Sequence, residues 1–210
     1  MKTKYSTLMN LFILSIGLPI LLWFLGDYPM RTLFKDSIAV LTLLALCLLF
    51  VQFFISGINP TLLEKYRLKD IVKVHKYIGY AVIGFFILHP LFIVLPRFFE
   101  AGLLPQDALI KLLTTFETRG QIVGLVAYIL MFVLGVTSLL RHKLGITYTT
   151  WKLLHGFLSL AFIILASWHA IDMGRHFDTA LSIWTIILVS LTAIILLKNY
   201  GKVYNEKKAK

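Results

Sequence analysis

The chain has 210 residues, 59% of them hydrophobic and only 15% charged, with a mean hydropathy of +0.84. A soluble domain of this size has too little polar side chain to cover so much apolar surface, so the composition points to a membrane protein. The net charge of +11 is not a nucleic-acid signature, because the basic residues sit in short segments between apolar runs, and the single cysteine, Cys47, excludes an internal disulfide, a CxxC redox pair and a thiolate metal cluster.

In chain order, Lys2 and Lys4 precede an apolar run over Thr7–Gly26. The run is long for a signal peptide and no small-x-small cleavage site follows it, so it reads as a first spanning helix. Five further stretches reach the roughly 20 residues that a bilayer demands: Ser37–Ser56, Ile71–Leu95, Gln121–Leu140, Trp151–Ile171 and Ala180–Leu197. The expected architecture is an all-α membrane protein, a bundle of six transmembrane helices. The expected division is 1–36 for the first helix and its outer loop, 37–197 for the main membrane domain, and 198–210 for a frayed basic tail. Between the second and third stretches, Leu62, Leu63, Tyr66 and Ile71 alternate with charges, as in a segment lying along the interface. Pro105 opens a segment with Ala108, Leu109, Leu112, Leu113 and Phe116 on one face, which predicts a short interfacial helix.

Charge sets the expected orientation. With the N-terminus inside, the inner segments hold fifteen lysines and arginines, clustered at Lys65–Lys76, Arg141–Lys152 and Lys198–Lys210. The outer segments hold six: Arg31, Lys35, Arg97, Lys111, Arg119 and Arg175. This asymmetry predicts both termini in the cytoplasm. The third and fifth helices then run parallel.

Those two helices carry four histidines at one spacing. His75 and His89 are 14 residues apart, as are His155 and His169. On a helix that interval returns to nearly one face about 21 Å further along the axis. Neighbouring helices would therefore form two tiers, His75 with His155 and His89 with His169. Two facing imidazoles per tier meet the need of a haem iron with two axial histidines. A structural role in helix packing and a single haem stand as alternatives. Zinc fits less well, since it wants three or four ligands about one point and pairs about 21 Å apart cannot supply them.

Several neighbours bear on this reading. Gly79, Gly84 and Gly156 lie near the histidines and either leave room for a flat ring or serve ordinary helix packing. Phe162 is seven residues from both His155 and His169. It is either an aromatic bridge between two haems or a core phenylalanine. Haem propionates favour basic partners at the surface, with Arg67, Lys73, Arg141 and Lys152 as inner candidates and Arg97, Arg119 and Arg175 as outer ones. His142, in the basic RHK loop, reads as a surface residue. His176, seven residues after His169, is a substitute ligand. No C-x-x-C-H motif is present, so covalent haem attachment is not expected.

Taken together, VHKYIGYAVIGFFILHP, TSLLRHKLGITYTTWKLLHGF and ASWHAID resemble the ferric reductase-like transmembrane domain family. That family includes the membrane parts of ferric reductases and NADPH oxidases and the haem-binding subunit of the bacterial methionine sulfoxide reductase system. The resemblance runs from about Ser37 to Leu197 and implies two haems b, held by His75 and His155 on the inner side and by His89 and His169 on the outer. It implies an electron-transfer oxidoreductase subunit in the bacterial inner membrane. Many relatives continue into a flavin- and nicotinamide-binding module; this sequence stops at Lys210 with no glycine-rich dinucleotide loop. It thus resembles the stand-alone members, with flavin expected only on a partner. The expected donor is a separate cytoplasmic flavoprotein or a quinol, and the expected acceptor an extracytoplasmic protein or metal ion. A quinone-linked subunit, and a transporter using the histidines as a proton relay, are the competing functions; a packing scaffold is a third.

Overall fold

The computed structural model describes residues 9–29, 31–56, 59–99 and 102–208, and among them it is all-helical. The elements are α1 (Met9–Leu25), α2 (Leu33–Phe54), α3 (Pro60–Leu63), α4 (Leu68–Val94), α5 (Pro105–Thr114), α6 (Arg119–Leu139), α7 (Tyr148–Met173) and α8 (Thr179–Lys208). A 3-10 turn over Leu95–Phe98 extends α4. Lys2, Lys4, Glu100 and Lys210 lie outside the described residues.

Local chemistry explains where the helices begin. Thr32, Thr118 and Thr147 accept backbone N–H bonds from Lys35, Gln121 and Thr150, satisfying donors that a helix start leaves free. At Thr118 the Gln121 side chain returns to the cap backbone and completes a capping box. The Asp178 carboxylate accepts from Leu181 N at 2.8 Å and plays the same part for α8. Pro105 occupies the first turn of α5, where its missing N–H costs nothing. Gly145 turns the chain into α7 with φ +65°, a conformation that side-chain-bearing residues avoid.

Five of these helices are long and apolar enough to cross a bilayer: α2, α4 with its extension to Phe98, α6, α7 and α8 over Thr179–Gly201. The described part of the first apolar run, α1, is shorter than these and contains a π-helical segment over Ile13–Gly17. Helix α5 buries no residue against the rest of the chain, in keeping with an interfacial position. The expected frayed tail differs from what is found: α8 continues past Leu197 to Lys208. Lysine and glutamate are good helix formers, and Tyr200 donates its hydroxyl to Lys152 O at 2.8 Å, tying the extension to α7.

Helix α2 is the centre of the bundle. Of its most apolar window 44% is buried within the chain, against 11% for α4, which therefore lies at the periphery. The main core joins Leu46 and Phe50 of α2 to Val82 of α4, Met131 of α6, Ile163 of α7 and Leu188 of α8. A second cluster packs Ile16 of α1 on Leu43, Cys47 and Val51 of α2 and Leu181 of α8. Helices α6 and α7 form the most extensive pairing; α4 and α7, the two histidine helices, are not among the closely packed pairs.

Candidate functional site

All four histidines of interest are partly buried, and the rings of His75, His155 and His169 are anchored through Nδ1 from neighbouring helices. His75 on α4 and His155 on α7 face each other with ring centroids 6.5 Å apart and planes 72° apart. Two imidazoles bound end-on to one metal at about 2 Å place their centroids roughly 6.3 Å apart. The observed spacing leaves room for one ion between the two rings, which sit on helices whose backbones do not pack closely.

The anchoring fixes which nitrogen faces a ligand. His75 Nδ1 lies 3.1 Å from Gln52 O and 3.0 Å from Ile55 O at the end of α2. Carbonyls only accept, so Nδ1 carries a proton, and in the neutral ring the free lone pair is then on Nε2. Likewise, His169 Nδ1 donates to Gly120 O at 2.8 Å. His155 Nδ1 is 3.3 Å from Ser138 Oγ, and Trp151 stacks on its ring at 5.0 Å and 22°. This is the outer-sphere arrangement that orients metal-binding imidazoles. His89 and His169 interact electrostatically at the other tier. His89 Nδ1 is buried with no hydrogen-bond partner among the described residues.

Glycines decide how closely these rings seat. A Cβ on Gly124 would collide with the His169 ring, and one on Gly120 would collide with Asp172 and Met173. Gly120 and Gly124 are one turn apart on α6, a small-xxx-small pair that lets α7 approach. The expected glycines behave differently from one another. At Gly79 a Cβ would meet Gln52 Nε2 at 2.9 Å, and at Gly156 it would strike Tyr200, so protein side chains fill both spaces; Gly84 has nothing within 4 Å. Phe162, 7% exposed, packs in the main core.

His142 is exposed beside Arg141, as its loop suggested. His176 lies apart from the pairs in the α7–α8 loop, 8% exposed, with its ring against Trp23 and Tyr28 and its Nε2 3.9 Å from Asp36 Oδ1. Burial holds its imidazole below the usual histidine range, reinforced by Arg31 and Arg175 and opposed by Asp36.

The donor set fits haem on these observations: two imidazoles facing each other across α4 and α7, with Nδ1 hydrogen-bonded on three of the four histidines. Among the described residues no group of three or more His, Cys, Asp or Glu side chains is placed to hold a metal ion. The signals that sequence reading missed are Gln52, Ile55, Ser138 and Trp151 beside the inner pair and Gly120 with Gly124 beside the outer one. Only the GxxxG spacing was visible in advance.

The pattern of the ferric reductase-like transmembrane component matches residues 41–166. This chain belongs to that family. The matched region contains His75, His89 and His155 and stops three residues before His169. A relative from Archaeoglobus fulgidus, described only as an uncharacterized protein, is 33% identical over 160 residues, covering 76% of this chain and 87% of its own length. No solved structure matches. Membership makes this ferric reductase-like protein a multi-pass integral membrane protein of an electron-transfer family.

Proposed function

We propose that this ferric reductase-like protein is a di-haem b-type cytochrome. It would pass electrons from a cytoplasmic donor, a separate flavoprotein or a quinol, to an extracytoplasmic acceptor protein or metal ion. The reading has α1 and the five longer helices all crossing the membrane, with both termini cytoplasmic, and 37–197 as the haem-binding domain. The observation that carries it is the His75–His155 pair at 6.5 Å with His75 Nδ1 locked on two carbonyls.

His75 and His155 would hold the inner haem and His89 and His169 the outer. Haem b, when bound by two imidazoles, supplies a site that takes up and gives back one electron. The chain's own work is positional. Gln52, Ile55 and Gly120 carbonyls accept from Nδ1 of His75 and His169 and keep these imidazoles aimed. Buried Phe50, Met131 and Ile163 exclude water from the interior, and Phe162 would occupy the space between tiers. About 21 Å of helix axis separates the tiers, which sets the length of the route across the membrane. The unpartnered His89 Nδ1 favours one competing reading, a single haem at the inner tier.

Single-turnover oxidation tests the direction of flow. Pre-reduced protein in oriented vesicles would be offered an impermeant acceptor on one side at a time. Oxidation from the side opposite the termini supports the proposal; oxidation only from the side of the termini overturns the topology or the direction.

A further inference from the structure

At the end of the bundle that holds His75 and His155, aromatic rings run in series to the surface. Trp151 stacks on His155 at 5.0 Å and 22°, and Tyr148 stacks on Trp151 at 5.8 Å and 24°. Tyr148 is 61% exposed. The Trp151 plane is fixed by its Nε1, which donates to Thr137 O at 3.2 Å. The Arg141 guanidinium lies 5.5 Å from the centroids of both outer rings. Tryptophan and tyrosine gather at membrane interfaces as anchors, which accounts for their presence here but not for near-parallel registration on an imidazole.

The segment that carries this ladder has charge of one sign. From Leu140 to Lys152 the chain carries Arg141, Lys143 and Lys152 and no acidic residue. An exposed flat ring beside a guanidinium, inside a wholly basic segment, suits a ligand that is itself planar, aromatic and anionic. The ring continues the stack and the anion meets Arg141.

We infer that Tyr148, Trp151 and His155 form the electron entry port, and that Arg141 docks a planar anionic aromatic reductant on Tyr148. The inference rests on the proposed function, because it needs a haem at His155. Haem b held at His155 would supply a one-electron acceptor; the chain's own part is to seat the donor ring on Tyr148 and Arg141 and to line up Trp151 between that ring and His155. A hydroquinone-type donor would lose one electron at a time, the second only after the first has moved on to the extracytoplasmic acceptor, and would release its two protons to water on that face. Trp151 acts through His155 and is a relay and positioning residue.

The test uses the full chain with haem and reduced anthraquinone-2-sulfonate as the donor. Stopped-flow haem reduction, compared at equal haem content, should show a fast phase that is lost in haem-loaded Trp151→Leu and returns in Trp151→Phe. Binding is read separately on haem-free protein by quenching of tryptophan fluorescence with oxidised anthraquinone-2-sulfonate. Arg141→Gln should weaken that binding roughly two- to fivefold, as expected for an exposed charge pair, and reduce its dependence on salt. If Trp151→Leu loses haem, Tyr148→Leu at the exposed end of the stack should still lose the fast phase. A haem-loaded Trp151→Leu or Tyr148→Leu chain that is reduced at the wild-type rate overturns the entry port alone. A wild-type chain without haem is a failure of the proposed function, and the port falls with it.

Discussion

Replacing Gly124 by alanine isolates the seat of His169. In most helix interiors this change stabilises by roughly 0.5–1 kcal/mol, because alanine loses less backbone freedom on folding. Here the new methyl would stand 2.7 Å from His169 Cε1 and 2.9 Å from Cγ, whereas carbon atoms in good contact lie about 3.5–4.0 Å apart. The imidazole must therefore move by the better part of an ångström or α6 must part from α7. Either movement strains the 2.8 Å bond from His169 Nδ1 to Gly120 O. Leaving buried partners unsatisfied costs about 1–3 kcal/mol, which exceeds the helical gain. Losing such an outer partner typically lowers metal affinity about 10–100-fold. Titrating haem into haem-free Gly124→Ala, followed in the Soret band, should show one site as in the wild type and one weakened by that factor. Gly84→Ala, with nothing within 4 Å, is the control and should bind normally. A Gly124→Ala chain with two sites of wild-type affinity refutes the reasoning.

Two other outcomes follow from the same chemistry. Acid acetone should release all the pigment, because Cys47 lies in α2 and no haem-attachment motif exists; pigment retained on the chain would contradict a b-type assignment. His176, held below its ordinary range by burial, makes folding pH-dependent. The unfolded chain takes up the proton first, so stability falls as pH drops below about 6.5 and levels off once the folded histidine is also protonated. Thermal unfolding between about pH 8 and pH 5 should show a steeper acid loss for the wild type than for His176→Gln, and equal slopes would rule out the buried imidazole as its source.

The fold was legible where one segment's own pattern decides its fate. Apolar runs gave the five long helices, and the Pro105 face gave α5. The 14-residue spacing put His75 with His89, and His155 with His169, on one face of a helix each, because a helix repeats its face without reference to anything else. Contacts that depend on a second helix were not legible. Nothing in the order of residues says that Gln52 and Ile55 on α2 lie over His75, or that Gly124 makes way for His169. The same limit left Gly79 and Gly156 open between room for a ring and ordinary packing; Gln52 and Tyr200 fill their spaces. Beyond Leu197 polarity suggested fraying, yet the Tyr200–Lys152 bond holds the helix on course.

The central claim is that four histidines hold two haems. Pyridine haemochromogen quantitation, on purified wild type and on single His75→Leu, His89→Leu, His155→Leu and His169→Leu chains, tests it most directly. Two haems b are expected per wild-type chain and one in each variant, with His75→Leu and His155→Leu sparing the same haem and His89→Leu and His169→Leu the other. A wild type without haem, or a haem count that none of the four substitutions lowers, would contradict it.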